Sequence, residues 1–398
     1  MDYSKLLAQA IADAAGLEVE DIASWIEVPA DETLGDYAFP CFKLAKTLRK
    51  APPAIAAEIG GRLVKPDFIS EVRVVGAYIN FFLDRVTLAK QTLENVFAQG
   101  DAYGGSDKGA GRVVCIDYSS INIAKPFHIG HLSTTVIGNA LYRIYGFLGY
   151  KPVGINHLGD WGTQFGKLIV AYKLWGSRED IEARSITAML ELYVKFHEEA
   201  EKDPALDEQA RLWFKKIEDG DEEALSIFNW FKELTLKEVG KIYDLLGVHF
   251  DSYAGESFYN DKMQPVIDEL KEKGLLEFSE GAYVVRLGDD LPPCIVLKSD
   301  GATLYSTRDL AAAFYRKKTY DFHKCLYVVA YQQNLHFKQV FKVIELMGYG
   351  WAKDLEHVAF GMVSLEDGTL STRKGKVVLL KDVLDKAVEK TLSIIEEK

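Results

Sequence analysis

The fold is decided by residues 113–131, which read VVCIDYSSINIAKPFHIGH. The stretch opens with a short apolar, β-branched run that is typical of a buried strand. Pro126 and Gly130 then predict a turn. From Leu132 onwards, apolar residues recur at intervals of three and four, which predicts an amphipathic helix. The two histidines of the stretch therefore lie where a strand gives way to a helix.

His128 and His131 occupy a place in the chain where anions commonly bind. Backbone N–H groups at the start of a helix lack intrahelical partners and carry the positive end of its dipole. In an open parallel sheet, the crevice beyond the strand ends is also where ligands lie. Gly130, between the two imidazoles, would let a nucleotide approach the backbone closely. A chance match is the competing explanation, and the predicted strand, turn and helix argue against it.

The stretch resembles the nucleotide-binding signature of class I aminoacyl-tRNA synthetases, and more closely that of arginyl-tRNA synthetases. The resemblance is carried by DYSSINIAK at 117–125, HIGHL at 128–132 and NHLGDWGTQFG at 156–166. Two positions depart from the family pattern: Ile121 stands where the family usually has Pro, and Ser133 where it has Arg. Separate blocks in the family's order extend from Gly35 to Lys376, so the resemblance covers nearly the whole chain.

The resemblance implies a two-step reaction and a set of residues for its phosphate chemistry. Arginine is first joined to ATP as an arginyl-adenylate, and the arginyl group then passes to tRNA-Arg. Because charge spreads over phosphoryl oxygens in the first step, donors near the phosphates matter more than a nucleophile. The implied catalytic residues are His128, His131, Lys125 and Lys374, and the implied ATP-binding residues are His128, Gly130, His131, Ser371, Arg373 and Lys374.

Two of these assignments concern cationic segments that also have commoner explanations. Lys125 would place a cation at the α-phosphate, although a loop lysine usually faces solvent. Residues 370–376, LSTRKGK, resemble the second class I signature in the degenerate form of arginyl enzymes. Thr372 stands where that signature usually has its second lysine. A basic run of this kind, taken in isolation, is usually only a turn.

Recognition of arginine is expected to depend on acidic groups, because the guanidinium fork pairs with a carboxylate through two parallel hydrogen bonds. By resemblance, the residues at the guanidinium are Glu256, Tyr305 and Asp309, and those at the α-amino and carboxylate end are Ser120, Asn122 and Gln333. Taken singly, Asp309 is more simply a carboxylate that balances a helix dipole. Glu256 is more simply a surface turn residue.

Composition limits the class of protein and its compartment. The chain has 398 residues, 48% of them hydrophobic and 27% charged, which is ordinary for a soluble globular protein. A net charge of −12 argues against a general nucleic-acid coat protein, although a specific RNA partner needs only a local basic face. The four cysteines are far apart, which argues against a zinc site and favours a reducing cytosol. Cys115 and Cys325 are predicted to be buried thiols.

The expected partners follow from the resemblance. They are tRNA-Arg, L-arginine and ATP as its Mg²⁺ complex, with no tightly bound, protein-ligated metal. No apolar run is long enough to span a membrane, so no membrane partner is expected. The protein is expected to be a cytoplasmic monomer. The resemblance further implies that tRNA must be bound before arginine is activated.

The predicted fold is α/β: a Rossmann-like, doubly wound parallel-sheet catalytic domain with an inserted subdomain, plus a small N-terminal α+β domain. The predicted boundaries are 1–105 for the N-terminal domain, 106–111 for a linker, 112–380 for the catalytic domain with its insertion at about 176–300, and 381–398 for a C-terminal helix. By resemblance, the first domain touches the tRNA elbow. The last helix would begin an anticodon-binding domain that lies beyond this chain.

Periodicity places several elements within these domains. Helices are predicted at 163–175 and through most of 178–246, and the last strand of the sheet at 358–363. A helix in the N-terminal domain is predicted to end at Pro52 and Pro53. Its cations are Lys43, Lys46, Arg49 and Lys50. They form either a solvated helix face or, by resemblance, part of a tRNA contact.

Two other functions stay open. The chain could be a class I synthetase for another amino acid, although an apolar pocket would suit most of those better than paired Glu256 and Asp309. It could also be a non-catalytic relative that binds tRNA or protein. Both histidines and the 370–376 segment are intact in this chain, which speaks against that second alternative.

Overall fold

The computed structural model describes residues 2–125, 127–362 and 378–397. The chain divides into two compact units, Met1–Gly104 and Gly105–Lys398. No helix in the described ranges is long and apolar enough to cross a membrane. All four cysteines are buried free thiols, which confirms the prediction for Cys115 and Cys325.

The first unit combines helices with a small antiparallel sheet. Its helices are α1 (Tyr3–Ala15), α2 (Val19–Ala23), α3 (Ala45–Leu48), α4 (Pro52–Arg62) and α5 (Arg85–Gln99), and its strands are β1 (Tyr37–Pro40), β2 (Ile69–Val75) and β3 (Tyr78–Leu83). The strands pair in the order β1-β3-β2. Leu7 of α1, Ile55 of α4 and Phe81 of β3 share one buried core, which holds the helices against the sheet.

The helix predicted to end at Pro52 and Pro53 does stop before them, at Leu48, but a second helix that was not predicted, α4, begins at Pro52. Proline suits the first turn of a helix, where its missing N–H would have no intrahelical partner. The preceding helix α3 is short and stops at Leu48, after which Arg49 takes a left-handed conformation with φ 51°. The four cations of this segment, Lys43, Lys46, Arg49 and Lys50, are all exposed.

The second unit contains a parallel sheet, an antiparallel sheet and ten α-helices among the described residues. Its strands are β4 (Val113–Asp117), β5 (Lys151–Ile155), β6 (Leu276–Ser279), β7 (Ala282–Val285), β8 (Cys294–Lys298), β9 (Lys324–Tyr327) and β10 (Leu355–His357). Its helices are α6 (Leu132–Phe147), α7 (Thr163–Trp175), α8 (Arg178–Arg184), α9 (Ile186–Ala200), α10 (Ala205–Glu218), α11 (Glu222–Leu246), α12 (Met263–Glu272), α13 (Tyr305–Tyr320), α14 (Asn334–Leu346) and α15 (Leu380–Glu396).

The parallel sheet has the strand order β10-β9-β4-β5 and is covered on both faces. Successive side chains of a strand point to opposite faces of the sheet. Val114 and Ile116 of β4 accordingly join one core with residues of α7, α9, α10 and α11. Cys115 joins the other core with residues of α12, α13 and α14. This layering confirms the predicted Rossmann-like, doubly wound α/β architecture, with β6-β7-β8 forming a separate antiparallel sheet.

Several predicted elements lie where periodicity places them, and one does not. The helix predicted at 163–175 is α7, and the predicted helical stretch from 178 to 246 contains α8 to α11. The last strand of the sheet, predicted at 358–363, is β10, which ends at His357. Between His357 and residue 362, the pairing continues as an isolated parallel bridge between Ala330 and Phe360, and the N–H of Val358 donates to the carbonyl of Tyr327 over 2.9 Å.

Residues 106–111, the predicted linker, form three backbone hydrogen bonds with the chain that follows α6. The N–H groups of Ser106, Gly109 and Gly111 donate to carbonyls of residues 147–149, over 2.7–3.0 Å. The segment therefore leads directly into β4.

Candidate functional site

The loop that follows β4 has an unusual backbone. Ser119, Ser120 and Ala124 take left-handed conformations, with φ values of 70°, 44° and 59°. Such conformations are strained for residues other than glycine, and they cluster at functional sites. Two hydrogen bonds hold the backbone of this loop in place. The N–H of Ser119 donates to Thr134 Oγ1 over 3.0 Å, and the N–H of Ala124 donates to Thr235 Oγ1 over 3.1 Å. The loop is thus fixed by helices α6 and α11.

The two histidines of this loop have their ring orientation set by the backbone. His128 Nδ1 accepts the N–H of Gly130 over 3.1 Å, and His131 Nδ1 accepts the N–H of His128 over 3.2 Å. A neutral ring that accepts at Nδ1 carries its proton on Nε2. Burial lowers the pKa of His131 to about 3, and burial followed by the charge of Lys125 lowers that of His128. Both rings are therefore neutral at pH 7, with N–H groups at Nε2.

The histidine rings also support each other through stacking. Their centroids lie 3.9 Å apart, and Phe127 stacks on His131 with a centroid distance of 5.2 Å. Of the other residues predicted for the phosphates, Lys125 is close enough for its charge to act on both imidazoles. Ser371, Arg373 and Lys374 lie outside the described residues.

A cavity of about 380 Å³ lies at the carboxyl ends of β4 and β9. Its lining includes all six residues predicted to bind arginine: Ser120, Asn122, Glu256, Tyr305, Asp309 and Gln333. Eight further residues complete the wall: Asp117, His157, Gly159, Arg308, Tyr327, Val329, His336 and Phe337. The predicted nucleotide residues His128, Gly130 and His131 are not part of this wall. The structure thus gathers the six predicted residues from segments more than 200 positions apart and leaves the histidines outside the cavity.

Glu256 is a largely buried carboxylate of the cavity rather than a surface turn residue. Its side chain is 16% exposed, and Arg308 Nη1 lies 3.7 Å from Glu256 Oε2. Burial raises the pKa of Glu256 to about 7; Arg308 opposes the rise, whereas the negative charges of Asp309 and Asp160 add to it. Glu256 is therefore partly protonated near neutral pH.

Asp309 pairs with side chains of other elements rather than with the start of its own helix α13. Its Oδ2 lies 2.6 Å from His336 Nε2, and its Oδ1 lies 3.9 Å from His157 Nε2. Burial alone would raise the pKa of Asp309, but the hydrogen bond and charge of His336, with a further contribution from His157, lower it overall. Asp309 is therefore the permanently ionised carboxylate of the cavity.

A buried ion pair forms the floor of the cavity. Arg316, which is fully buried, places Nη2 2.7 Å from Asp117 Oδ2 and 3.4 Å from His157 Nδ1. The other carboxylate oxygen of Asp117 accepts a 2.7 Å hydrogen bond from the hydroxyl of Ser120. Removing one partner of such a buried pair is strongly destabilising, because it leaves an uncompensated charge. The pair therefore fixes Ser120 on the wall of the cavity.

Sequence reasoning missed Asp117, His157, Arg308, Arg316 and His336 as parts of this site. Four of them lie in or beside a segment that carries the family resemblance, so proximity to a predicted residue was the available signal; Arg316, seven residues after Asp309, had no such signal. Their partners, however, are distant in sequence, and no local pattern pairs them. Among the described residues, no group of three or more His, Cys, Asp or Glu side chains is arranged to hold a metal ion.

Two family models match the chain. The model described as tRNA synthetases class I (R), catalytic domain, matches residues 92–398. The model described as Arginyl tRNA synthetase N terminal domain matches residues 1–83.

Relatives of known name match along almost the whole chain. A protein of Alkaliphilus metalliredigens named arginine–tRNA ligase is 57% identical, and the match covers 98% of this chain and 70% of that protein. One of Clostridium botulinum (strain Okra / Type B1) with the same name is 58% identical, over 100% of this chain and 71% of that protein.

Solved structures show the same fold. Thermus thermophilus arginyl-tRNA synthetase aligns with a TM-score of 0.71 at 24% identity, over 98% of this chain and 70% of that one. Arginyl-tRNA synthetase from Plasmodium falciparum aligns with a TM-score of 0.68 at 23% identity, over 99% of this chain and 70% of that one.

Proposed function

Because the chain belongs to the arginyl-tRNA synthetase family, we propose that the cavity between β4 and β9 is its arginine site and that the loop of His128 and His131 binds the phosphates of ATP. The activity is that of an arginine–tRNA ligase. ATP, L-arginine and tRNA-Arg give AMP, diphosphate and L-arginyl-tRNA-Arg, for use in protein biosynthesis.

One observation carries the assignment of the arginine site. Six residues chosen by family resemblance, from position 120 to position 333, line a single cavity. Two of them, Glu256 and Asp309, are carboxylates on its wall, and a guanidinium pairs with such groups through charge-assisted hydrogen bonds. Within the protein these carboxylates face Arg308 and His336. Bound arginine would join or replace these two partners.

We assign Ser120, Asn122 and Gln333 to the α-amino and carboxylate end of arginine, and Tyr305 to its guanidinium end. Ser120 is held by Asp117, and Asn122 forms a parallel bridge with Gly159. Both residues therefore have fixed positions before the amino acid arrives. Pre-organised polar groups of this kind reduce the ordering that binding requires.

We assign the phosphates to the histidine loop. The Nε2–H groups of His128 and His131 are neutral donors that need no change of protonation during the reaction. Gly130 leaves room for close approach, and Lys125 adds a positive charge beside the rings. We retain Ser371, Arg373 and Lys374 as proposed phosphate contacts on the resemblance alone. ATP would enter as its Mg²⁺ complex.

Several further properties belong to the same proposal. The N-terminal domain at 1–105 would contact the elbow of tRNA-Arg, and the linker, catalytic domain and C-terminal helix keep their predicted boundaries. The protein would be a monomer in the cytoplasm. The buried, unpaired cysteines are compatible with a reducing compartment.

Competition for arginine tests the proposed site directly. Labelled L-arginine would be bound by the chain and competed with unlabelled arginine, lysine or citrulline. Arginine should compete best, because lysine offers a point charge instead of a fork and citrulline keeps the shape without the charge. Charging of tRNA-Arg with arginine and ATP measures the whole reaction. Equal competition by citrulline would show that the two carboxylates do not read the guanidinium.

A further inference from the structure

Helix α11 contacts the proposed active site through three polar side chains on one face. Lys232 Nζ lies 2.5 Å from Asp160 Oδ2, and Thr235 Oγ1 accepts the N–H of Ala124 over 3.1 Å. The hydroxyl of Tyr243 lies 2.7 Å from Ser119 Oγ, and it accepts from Asn156 Nδ2 over 2.9 Å. Residues three, four, seven and eight apart share a helix face. One face of α11 is thus bonded to two separate loops of the site.

Asp160 is the group that α11 contacts at the arginine end. It is completely buried, and besides Lys232 it accepts two hydrogen bonds from Ser257, over 2.9 Å from the N–H and 2.7 Å from the hydroxyl. The residue before Ser257 is Glu256, whose N–H donates to the carbonyl of Leu158 over 2.9 Å. Residues 158–160 therefore hold the backbone on both sides of the Glu256 Cα, through the N–H of Glu256 and the N–H of Ser257.

Glycine at position 255 lets these two segments approach. A Cβ atom there would lie 2.6 Å from both Asp160 Oδ1 and the carbonyl oxygen of Leu158. No side chain fits at that distance.

The segment of Asp160 also reaches the other end of the cavity. The N–H of Gly159 donates to the carbonyl of Ile121 over 2.8 Å, and its own carbonyl accepts from Ile123 over 3.1 Å. Asn122, between those residues, approaches so closely that a Cβ at position 159 would lie 2.4 Å from its Oδ1. A shift of Asp160 would thus be felt at Asn122 as well as at Glu256.

We propose that Lys232, from the helical insertion, is a positioning residue for the arginine site, which it serves by neutralising Asp160 and so keeping Glu256 in place and ionised for the guanidinium. The inference rests on the proposed function of the cavity. Lys232 itself does not line the cavity and acts only through Asp160. Its removal would leave the buried carboxylate of Asp160 without a neutralising cation, beside Glu256.

The charges around Glu256 determine what that unpaired carboxylate would do. Glu256 faces Arg308 and Asp309 from α13 and Asp160 from the segment after β5, while His157 lies in the field of both aspartates. Lys232 and Ser257 are the partners of Asp160. Without Lys232, Asp160 would still accept its two hydrogen bonds from Ser257. Its negative charge would then repel the ionised form of Glu256 more strongly. A like charge nearby favours the protonated form of a carboxyl group.

Calorimetric titration of the whole 398-residue chain with L-arginine from pH 6 to pH 9 tests the role of Lys232. In Lys232→Met, the dissociation constant for arginine at pH 7 should rise about tenfold or more, because a charge-assisted contact is weakened. The pH at which arginine binding by this variant is half-maximal, its pH midpoint, should be higher than in the wild type, and binding of ATP should be unchanged. Lys241→Met, which removes an exposed lysine of the same helix paired with Glu238, should match the wild type.

Two more variants separate charge from shape. Lys232→Arg retains the positive charge and should keep the wild-type midpoint. The double variant Lys232→Met/Asp160→Asn removes both charges and should bring the midpoint back towards the wild-type value. A merely structural role for Lys232 predicts weaker binding with an unmoved midpoint, and that result would overturn the proposal.

The outcomes also distinguish this proposal from the one on which it rests. If the wild type binds arginine and Lys232→Met has the wild-type affinity and midpoint, the role of Lys232 is refuted and the arginine site stands. If the wild type shows no preference for arginine over citrulline, the arginine site falls, and the inference about Lys232 falls with it. If Lys232→Met does not fold, the double variant Lys232→Met/Asp160→Asn provides the test. A pH midpoint of arginine binding well above the wild-type value would then refute the proposal.

Discussion

The two ends of the proposed active site are built in different ways. At the phosphate end, His128, Gly130 and His131 are neighbours in sequence, and backbone N–H groups orient both rings. At the arginine end, Glu256 and Asp309 come from separate segments and meet only in the folded chain. The histidine rings of the phosphate end are neutral and lie beside Lys125, whereas each carboxylate of the arginine end faces a nitrogen-bearing side chain of the protein itself, Arg308 or His336.

This difference suggests different contributions to function. Neutral donors held rigidly by the backbone change little when ATP binds, so they act mainly where charge develops during the reaction. Carboxylates that already have partners must exchange or share them when arginine binds, so they set affinity and its dependence on pH. The phosphate end should therefore control rate and the arginine end selectivity.

The largest effect is expected at the phosphate end. His131→Ala removes one Nε2–H donor and should slow formation of arginyl-adenylate by about two to three orders of magnitude, with a modest change in ATP affinity. Single-turnover measurement with tRNA-Arg present gives the rate, and titration with ATP gives the affinity. His323→Ala, which changes an exposed histidine beside Arg112 and Tyr150, is the matched control. A near-normal rate in folded His131→Ala would remove this ring from the chemistry.

A smaller effect is expected at the arginine end. Asp309→Asn keeps the shape of the side chain but removes the charge that faces the guanidinium. A hydrogen bond to a charged group contributes about 1.5–3 kcal/mol, so affinity for arginine should fall by roughly 10- to 150-fold while ATP affinity holds. Asp321→Asn, at the exposed end of the same helix, is the control. Equal arginine affinity in Asp309→Asn and the wild type would place Asp309 outside the arginine site.

The same contrast explains how much of the molecule the sequence predicts. The strand β4 and the helix α7 follow from local periodicity, because each buries a run of apolar residues. The helix α6 also lies where its periodicity predicts it, although its buried residues are Thr134, Thr135 and Gly138. The His128–His131 motif is local too, and its position between strand and helix is confirmed. The helix α4 was not predicted, because proline is compatible with the first turn of a helix as well as with a break.

The partners of the arginine end could not be predicted in this way. Asp309 is 27 positions from His336, and Asp117 is 199 positions from Arg316. Neither spacing has a local period, because these pairs form only when β4, β9 and the adjacent helices pack together. Family resemblance supplied Glu256 and Asp309 as candidates, but their partners Arg308 and His336 were visible only in the folded chain. The same is true of Lys232 on α11.

The smallest predicted effect is a pH dependence that belongs to the arginine end alone. Burial raises the pKa of Glu256 to about 7, whereas Asp309, whose pKa is lowered, stays ionised throughout. A guanidinium binds the ionised form of Glu256, so below pH 7 the site must release a proton to bind arginine. The dissociation constant for arginine should therefore be constant above about pH 8 and rise by up to about tenfold per unit as the pH falls below 7.

Glu256→Gln identifies the group responsible for that dependence. The amide cannot titrate, so this variant should bind arginine more weakly at pH 8 and show a flat profile from pH 8 to pH 6. Asp321→Asn, at the exposed end of α13, serves as the comparison and should keep the wild-type profile. A slope that survives unchanged in Glu256→Gln would assign the proton to another group of the cavity. The charge balance of the arginine end would then rest on Asp309 and the imidazoles that face it.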